Sequence, residues 1–267
     1  MTPDLATLGI YLTLGAGVGL LAGLLGVGGG LIIVPVLVME FHAAHVPAHV
    51  IMHLAIGTSL ATIVLTSSAS VYTHHRHGAV LWPVVAWITP GIVVGALLSA
   101  WFASLMHSDG LKIIFGIFEI LIALQMAIGI RPPPSRTLPG AVGLSASGGV
   151  IGAVAALLGI GGGAMTVPFL TWCNVSIRQA VATSAATGLP IAVSGTLGYI
   201  LTGLHEPLLP ENSLGFVYWP ALLCIAAASL LAAPLGATLA HRLPTAGLKR
   251  IFALLLTVLG GWMLLGK

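Results

Sequence analysis

Long apolar runs, separated by short polar connections, fill almost the whole chain. Of its 267 residues, 58% are hydrophobic and only 6% are charged. Because a soluble domain carries roughly 25% charged residues, a water-facing surface cannot be built from these runs. The composition predicts an all-α, polytopic membrane protein. The basic residues are scattered singly, which excludes the continuous basic patch that binding to nucleic acid requires.

Ten apolar segments can be distinguished, and eight of them reach the roughly 20 residues that a membrane-spanning helix needs. The second and seventh segments, about 30–41 and 163–173, are shorter, and each directly follows a glycine cluster. The most hydrophilic connection, 131–137, is rich in proline and lies near the midpoint of the chain. We therefore expect two membrane repeats, 1–130 and 138–267, joined by a cytoplasmic linker.

The glycine cluster occurs twice with the same spacing. Gly26-Val27-Gly28-Gly29-Gly30 precedes Val34-Pro35, and Gly159-Ile160-Gly161-Gly162-Gly163 precedes Val167-Pro168. Glycine destabilises the interior of a helix by about 1 kcal/mol relative to alanine, so its repeated use inside apolar runs needs a reason. We interpret the pair as one broken-helix element that is present in both halves.

The two halves share a second motif, because Ala55–Thr62 matches Ala180–Thr187 and places a Thr-Ser pair early in the third segment of each half. Internal duplication is typical of secondary transporters. If the short segments either cross the membrane or re-enter it, seven of the nine Lys and Arg residues fall on one side, with only Lys112 and Lys267 on the other. If these segments merely extend the preceding helices, the split is five to four. The positive-inside rule favours the first case, which makes the repeats inverted and places both termini outside.

A glycine cluster at membrane depth frees backbone N–H groups, which must then face protein, water or a ligand. A helix that begins there favours an anion at its N-terminus. The alternative is close helix packing through small residues, with the hydroxyls bonded to their own helix. We expect the two breaks to converge on a central anion site with amide donors from the glycines and hydroxyl donors from the Thr-Ser pairs. The candidate substrate-binding residues are Gly28, Gly29, Gly30, Thr58, Ser59, Gly161, Gly162, Gly163, Thr183 and Ser184.

The doubled Gly-x-Gly-Gly-Gly-x-x-x-Val-Pro motif resembles the sulfite exporter TauE/SafE family. So do the stretch His53–Leu60 and the segment His74–Val80, and the likeness covers nearly the whole chain. The resemblance implies a transporter of small sulfur oxyanions or organosulfonates, such as sulfite and sulfoacetate, in the cell inner membrane. Members of the family differ in substrate, so the resemblance supports an anion transporter better than it supports sulfite itself.

Glu119 is the one acid well inside an apolar segment. Such acids are energetically costly and often mark a proton or substrate path. Glu119 is therefore a candidate for proton coupling, and the alternative is a structural acid that is hydrogen-bonded to a neighbouring helix.

The ten histidines suggest a second hypothesis, a divalent transition-metal exporter. His49 and His53 are one helical turn apart, a spacing that can bind such a metal. They can equally be interfacial or pH-sensitive residues. We expect the segment with His74, His75 and His77 to be a solvated cytoplasmic loop, and His42 to lie in the loop before the third segment.

No cofactor is implied, and the sequence favours a transporter over an enzyme. An intramembrane enzyme would need a buried nucleophile with a base in reach, and Ser194-Gly195 lacks the surrounding Gly-x-Ser-x-Gly pattern. Gating, and hence a channel, and assembly into a homo-oligomer are left open by the sequence. The expected partners are a small anion and the lipid bilayer.

Overall fold

The computed structural model describes residues 4–25, 29–128, 136–240 and 245–266. These residues are helical apart from short connections and one hairpin, in which Ser213–Leu214 (β1) pairs antiparallel with Val217–Tyr218 (β2). The prediction of an all-α protein is therefore confirmed. The helices are α1 Leu5–Leu25, α2 Gly30–Ala43, α3 Ala48–Arg76, α4 Trp82–Ser104, α5 Ser108–Ile128, α6 Ala141–Leu157, α7 Gly163–Trp172, α8 Ile177–Gly203, α9 Trp219–Ala240 and α10 Thr245–Leu265.

Six of the described helices are long and apolar enough to cross a membrane, namely α1, α3, α4, α5, α8 and α9. The sequence predicts eight, and the difference lies in α6 and α10. Helix α6 begins only after Pro139 and Gly140 and falls short of the required length. Helix α10 has 21 residues, but several side chains before Arg250 lie outside the described part of the chain. The chain is a multi-pass membrane protein, as predicted.

Helices α4 and α6 pack backbone to backbone through glycine. A Cβ atom added to Gly95 would overlap the carbonyl group of Gly149, and one added to Gly152 would lie 2.5 Å from the carbonyl oxygen of Ile92. Small residues spaced four apart allow transmembrane helices to approach this closely. Because Gly91 likewise meets Ser145, residue numbers rise together along the two helices, which are therefore parallel.

Helices α1 and α9 form an equivalent parallel pair. Gly15 lies against the backbone of Ile225, and Gly19 lies against the backbone of Ser229. Within the predicted repeats, α1 and α6 are the first helices and α4 and α9 are the fourth. The first helix of each half therefore packs against the fourth helix of the other half, which is the reciprocal arrangement expected of two equivalent repeats.

The third helix of each half, α3 or α8, meets its counterpart near the middle of the bundle. Gly57 lies next to Tyr199, Leu60 next to Gly195, and Ser67 next to Gly188. Residue numbers rise along α3 as they fall along α8, so the two helices are antiparallel. The part of α3 from Val50 to Ile63 is buried.

The two short helices turn back instead of crossing. Tyr11, near the start of α1, and Phe41, near the end of α2, both contact the ring of Tyr218, with centroids 6.4 Å and 5.7 Å away. In the second half, the amide of Arg136, just before α6, donates to the carbonyl of Trp172 at the end of α7. Each pair, α1–α2 and α6–α7, is therefore a re-entrant hairpin, which resolves the choice that the loop charges left open.

Charged residues separate to opposite ends of the bundle. At one end the His49 imidazole lies 3.3 Å from Glu206, and Ser108, at the start of α5, donates to the His49 carbonyl. Lys112 follows one turn later and donates to the carbonyl of Gly266. At the other end lie the end of α3 and the start of α8, which carry Arg76 and Arg178. This is the grouping on which the predicted orientation depends.

Two histidine placements were wrong. Helix α3 continues through Arg76, so His74 and His75 are helical and are not in a loop, and His42 lies in the last turn of α2. Only His77 follows the end of α3 as its C-cap, and its Nδ1 lies 2.8 Å from the Thr73 carbonyl oxygen. The proposed linker 131–137 lies outside the described residues except for its last two, and the division into 1–130 and 138–267 stays a prediction.

Candidate functional site

The two glycine breaks meet in the middle of the protein. A Cβ atom on Gly30, the first residue of α2, would overlap the carbonyl oxygen of Gly159 and lie 2.8 Å from the Cα atom of Ile160. Gly159 has a φ of +66°, a conformation that glycine adopts readily and that ends α6 just before the break. The short helix of one half thus begins against the break of the other half. Gly28 lies outside the described residues.

The N-terminus of α7 has free donors. The amides of Gly162, Gly163 and Ala164 precede the first intrahelical hydrogen bonds, which reach back to Gly162 from Met165 and Thr166. None of these three amides has a hydrogen-bond partner among the residues that the structure describes. Because the dipole of a helix adds to such amides, this N-terminus is suited to an anion.

Polar groups surround Gly162. Its ideal Cβ position lies 3.1 Å from the Ser184 carbonyl oxygen and 3.2 Å from the hydroxyl oxygens of Thr166 and Thr187. Both threonines are fully buried, and their hydroxyl oxygens are 3.5 Å apart. The ideal Cβ position of Gly188 lies 3.4 Å from the backbone nitrogen of Gly162. We refer to Gly162, Thr166, Ser184, Thr187 and Gly188 as the α7 cluster.

The other predicted glycines differ in what they face. A Cβ atom on Gly29 would overlap the side chain of Val18 on α1, so Gly29 permits close packing within its hairpin. Gly161 faces Ile63 of α3 at an ordinary contact distance of 3.7 Å. Among Gly29, Gly30, Gly161 and Gly162, only Gly162 has polar atoms on several sides of its ideal Cβ position.

Ser59 holds the two halves together and does not supply a free donor. Its buried hydroxyl donates to the carbonyl oxygen of Gly159 over 2.8 Å. That proton is already used in this conformation, and the role of Ser59 as a donor to substrate stays a prediction. The bond instead fixes the glycine break of the second half against α3 of the first.

Thr58 and Thr183 occupy equivalent positions in the two halves, and each accepts a hydrogen bond from a backbone amide of the other half. The Thr58 hydroxyl accepts a hydrogen bond of 3.0 Å from the amide of Tyr218, directly before α9. The Thr183 hydroxyl accepts one of 3.0 Å from the amide of Leu81, directly before α4. Each threonine therefore satisfies an orphan donor at the start of the other half's fourth helix. These caps link the halves, and both hydroxyls keep a proton that can be donated.

The two caps make a testable pair. We expect Thr58→Val and Thr183→Val each to destabilise the protein by about 1–3 kcal/mol, because they leave the buried amide of Tyr218 and the partly buried amide of Leu81 without an acceptor. Thr58→Ser and Thr183→Ser keep the acceptor and should lose much less. Thermal unfolding in detergent would measure both effects. Thr13→Val is the matched control, since Thr13 is exposed and bonds only within α1; equal losses in the control and the cap variants would contradict the assignment.

Glu119 is completely buried on the face of α5 that carries Leu111, Phe115 and Ala123. Neither of its carboxyl oxygens has a hydrogen-bond partner among the described residues. The predicted alternative, a structural acid bonded to a neighbouring helix, therefore finds no partner in that part of the chain. An unpaired carboxyl group at membrane depth is costly to keep, which leaves Glu119 as a candidate for function.

The two histidines of the metal hypothesis face different partners. His49 is half exposed beside Glu206, whereas His53 is buried with its Nε2 atom 2.9 Å from the Ala103 carbonyl oxygen. The ring of His53 also packs on Phe216, with centroids 5.1 Å apart. Within the described residues there is no group of three His, Cys, Asp or Glu side chains placed to hold a metal ion.

Sequence reasoning missed Thr166, Thr187 and Gly188. Thr187 had a signal, because it is the last residue of the octet that matches Ala55–Thr62. Thr166 had none, since Ile33 stands at the same place in the first half. The α7 cluster is therefore a feature of the second half and has no polar equivalent at that position in the first.

A multi-pass bundle with a broken helix from each of two repeats facing the other is typical of secondary transporters. The chain belongs to the sulfite exporter TauE/SafE family, whose model matches residues 11–263. This confirms the resemblance seen in the motifs.

Curated relatives agree with the family assignment. A probable membrane transporter protein of Haemophilus influenzae is 38% identical over 250 residues, which cover 93% of this chain and 95% of that protein. A probable membrane transporter protein of Methanocaldococcus jannaschii is 29% identical over 271 residues, covering 98% and 97% of the two chains. No solved structure is significantly similar to this chain. The protein is thus a membrane transporter and not an enzyme, as the sequence predicts.

Proposed function

We propose that the protein moves a small sulfur oxyanion or organosulfonate, with sulfite as the first candidate, across the cell inner membrane by alternating access. The observation that carries the proposal is the meeting of the two glycine breaks, where the first amides of α7 have no partner among the described residues. An oxyanion offers several acceptor oxygens, and these amides are donors.

The site suits an anion that must be released again. No lysine or arginine is buried among the residues whose side chains the structure describes, so the negative charge would be met by amides, hydroxyls and the α7 dipole. Interactions of this kind with a helix terminus are worth roughly 0.3–2 kcal/mol each. Binding would therefore be selective for an anion but weak enough for turnover.

The proposed orientation places the end with Arg76 and Arg178 in the cytoplasm and both termini outside. The separation of charges in the structure supports it, because basic residues next to membrane spans concentrate on the cytoplasmic side.

Calorimetric titration of the purified protein tests the substrate class. We expect binding of sulfite, and weaker or no binding of nickel, cobalt and zinc. Sulfate and sulfoacetate added in competition would define which oxyanion the site prefers. Nickel or zinc binding without any oxyanion binding would overturn the proposal in favour of a metal exporter that uses His49 and His53.

Glu119 is the proposed coupling residue. We expect transport into proteoliposomes to depend on the pH gradient in the natural protein and to lose that dependence in Glu119→Gln, which keeps the shape of the side chain but cannot exchange a proton at this position. Uptake should be measured at several external pH values with the internal pH fixed. Glu119→Asp, which keeps an exchangeable proton at this position, should restore the dependence. A Glu119→Gln variant that keeps the full pH dependence would end this assignment.

A further inference from the structure

The two re-entrant helices, although equivalent in sequence, are not equally buried. Leu31, Ile32 and Val34 of α2 are buried, whereas Ala164, Met165 and Val167 at the matching positions of α7 are partly accessible. The hairpin that enters from the arginine-bearing end is therefore the more open of the two.

The central helices differ in the same direction. Ser67, Ser70 and His74 follow Ser59 along one face of α3, and all three are partly accessible. Ala192 and Tyr199 follow Ser184 on α8 at the same spacing at which Ser67 and His74 follow Ser59 on α3. Unlike Ser67 and His74, Ala192 and Tyr199 are fully buried. The side of α3 that faces α8 is thus accessible toward the arginine-bearing end, whereas the side of α8 that faces α3 is buried toward the opposite end.

The architecture leaves this part of α3 uncovered, whereas the β1–β2 hairpin packs on the equivalent part of α8 at Ile200 and Gly203. Helix α2 begins midway through the protein and runs back toward its outer end, so it packs along the first half of α3 only. The second half carries hydroxyl side chains at positions 66, 67, 68, 70 and 73. Thr66, Ser68 and Thr73 donate to carbonyls of their own helix. Ser67 and Ser70, whose hydroxyls have no partner among the described residues, are poorly suited to hydrocarbon. A water-filled space beside these residues would solvate them.

This face of α3 runs from the α7 cluster toward the arginine-bearing end. At its inner end, the Ser67 hydroxyl lies 3.4 Å from the ideal Cβ position of Gly188, a member of the α7 cluster. At the surface, a separate open depression of about 350 Å³ is lined by Tyr72, Thr73, Arg76 and His77 and not by Ser67, Ser70 or His74. All four residues of the depression are exposed, and a cationic group at a mouth raises the local concentration of anions.

We propose that the Ser67–Ser70–His74 face of α3 lines the passage between the arginine-bearing end and the α7 cluster, and that the structure represents the state open to that end. Ser67 is the first side chain that a solute meets as it leaves the cluster, and it positions the anion there. The opposite passage, along α8, is closed by Tyr199, Phe216 and the His49–Glu206 contact. This inference rests on the proposed function for the identity of the solute but not for the accessibility of the passage.

Cysteine labelling tests the passage. In a Cys173→Ala, Cys224→Ala background, single substitutions Ser67→Cys and Ser70→Cys should react with a membrane-impermeant maleimide added from the side at which Thr73→Cys reacts. Ala192→Cys should react at least about tenfold more slowly from either side, because the minor state of a two-state protein is typically populated at roughly 0.1–10%. Ile191→Cys, at a buried position two turns after Ser184 on the same side of α8, serves if Ala192→Cys does not fold.

The outcomes separate the passage from its solute. Unreactive Ser67→Cys and Ser70→Cys, or Ala192→Cys or Ile191→Cys reacting as fast from the opposite side, would overturn the passage. Sulfoacetate is the test solute, because sulfite itself adds to maleimides and would consume the reagent. Slower labelling of Ser67→Cys in sulfoacetate, with Thr73→Cys unchanged, would support both the passage and the proposed substrate class. Rapid labelling that sulfoacetate does not alter would support the passage and count against this substrate class.

Discussion

Gly162→Leu should abolish sulfite binding while the protein still folds. The added side chain would enter the α7 cluster, where the ideal Cβ position is already 3.1–3.2 Å from one carbonyl and two hydroxyl oxygens. It would place apolar atoms at the mouth of the α7 amides and keep an oxyanion away from them. We expect affinity to fall by at least about 100-fold, or roughly 2.7 kcal/mol, and Gly162→Ala to have a smaller effect in the same direction.

The matched control is Gly17→Leu on α1. Gly17 is exposed, and no heavy atom lies within 4 Å of its ideal Cβ position, so this change adds the same side chain without meeting the protein. Size-exclusion profiles and thermal unfolding of both variants would show whether they fold alike, and calorimetry would compare their sulfite affinities. Full affinity in a folded Gly162→Leu protein would refute the site.

The second large effect is expected on stability and not on binding. Gly95→Ala should severely destabilise the protein, because the new methyl group would overlap the Gly149 carbonyl and lie 3.0 Å from the backbone nitrogen of Ala153. Neither atom belongs to a side chain that can rotate away, so α4 and α6 would have to separate. Overpacking typically costs roughly 1–3 kcal/mol, and we expect this backbone clash to reach or exceed the upper end of that range.

Gly149→Ala provides the comparison within the same helix pair. Its ideal Cβ position lies 3.8 Å from the nearest atom, the Gly91 carbonyl oxygen, which is an ordinary contact. The two variants therefore make the same chemical change on the two sides of one interface. Unfolding temperatures in detergent should fall strongly for Gly95→Ala and little for Gly149→Ala; similar temperatures would show that α4 and α6 are not packed as described.

Local features of the fold were predictable because they depend on short stretches of sequence. Helices α2 and α7 begin at Gly30 and Gly163, where the glycine clusters end, since a run of glycines opposes helix and the following apolar residues favour it. Pro47 likewise precedes the first turn of α3. The apolar runs and loop charges gave the membrane class and the grouping of the basic residues.

The details of the site could not be predicted because its partners are remote in sequence. Thr58 meets Tyr218 across 160 residues, Thr183 meets Leu81 across 102, and Ser59 meets Gly159 across 100. No local pattern shows that a hydroxyl group will accept from one amide and donate to one carbonyl. The difference in burial between α2 and α7 is also absent from the sequence motif, because the shared glycines and proline describe both helices equally.

The exchange of first and fourth helices between the halves has a consequence for biosynthesis. Helix α1 starts at Leu5, but its main partner, α9, starts only at Trp219. At a synthesis rate of roughly 5–20 residues per second, α1 remains in the bilayer for roughly 10–40 s before α9 is made and can pack against it. During this interval the glycine-lined face of α1 is open to lipid and to other nascent chains. Maturation of the N-terminal half therefore depends on completion of translation, and a truncated chain would present this unpaired face to the quality-control machinery of the cell.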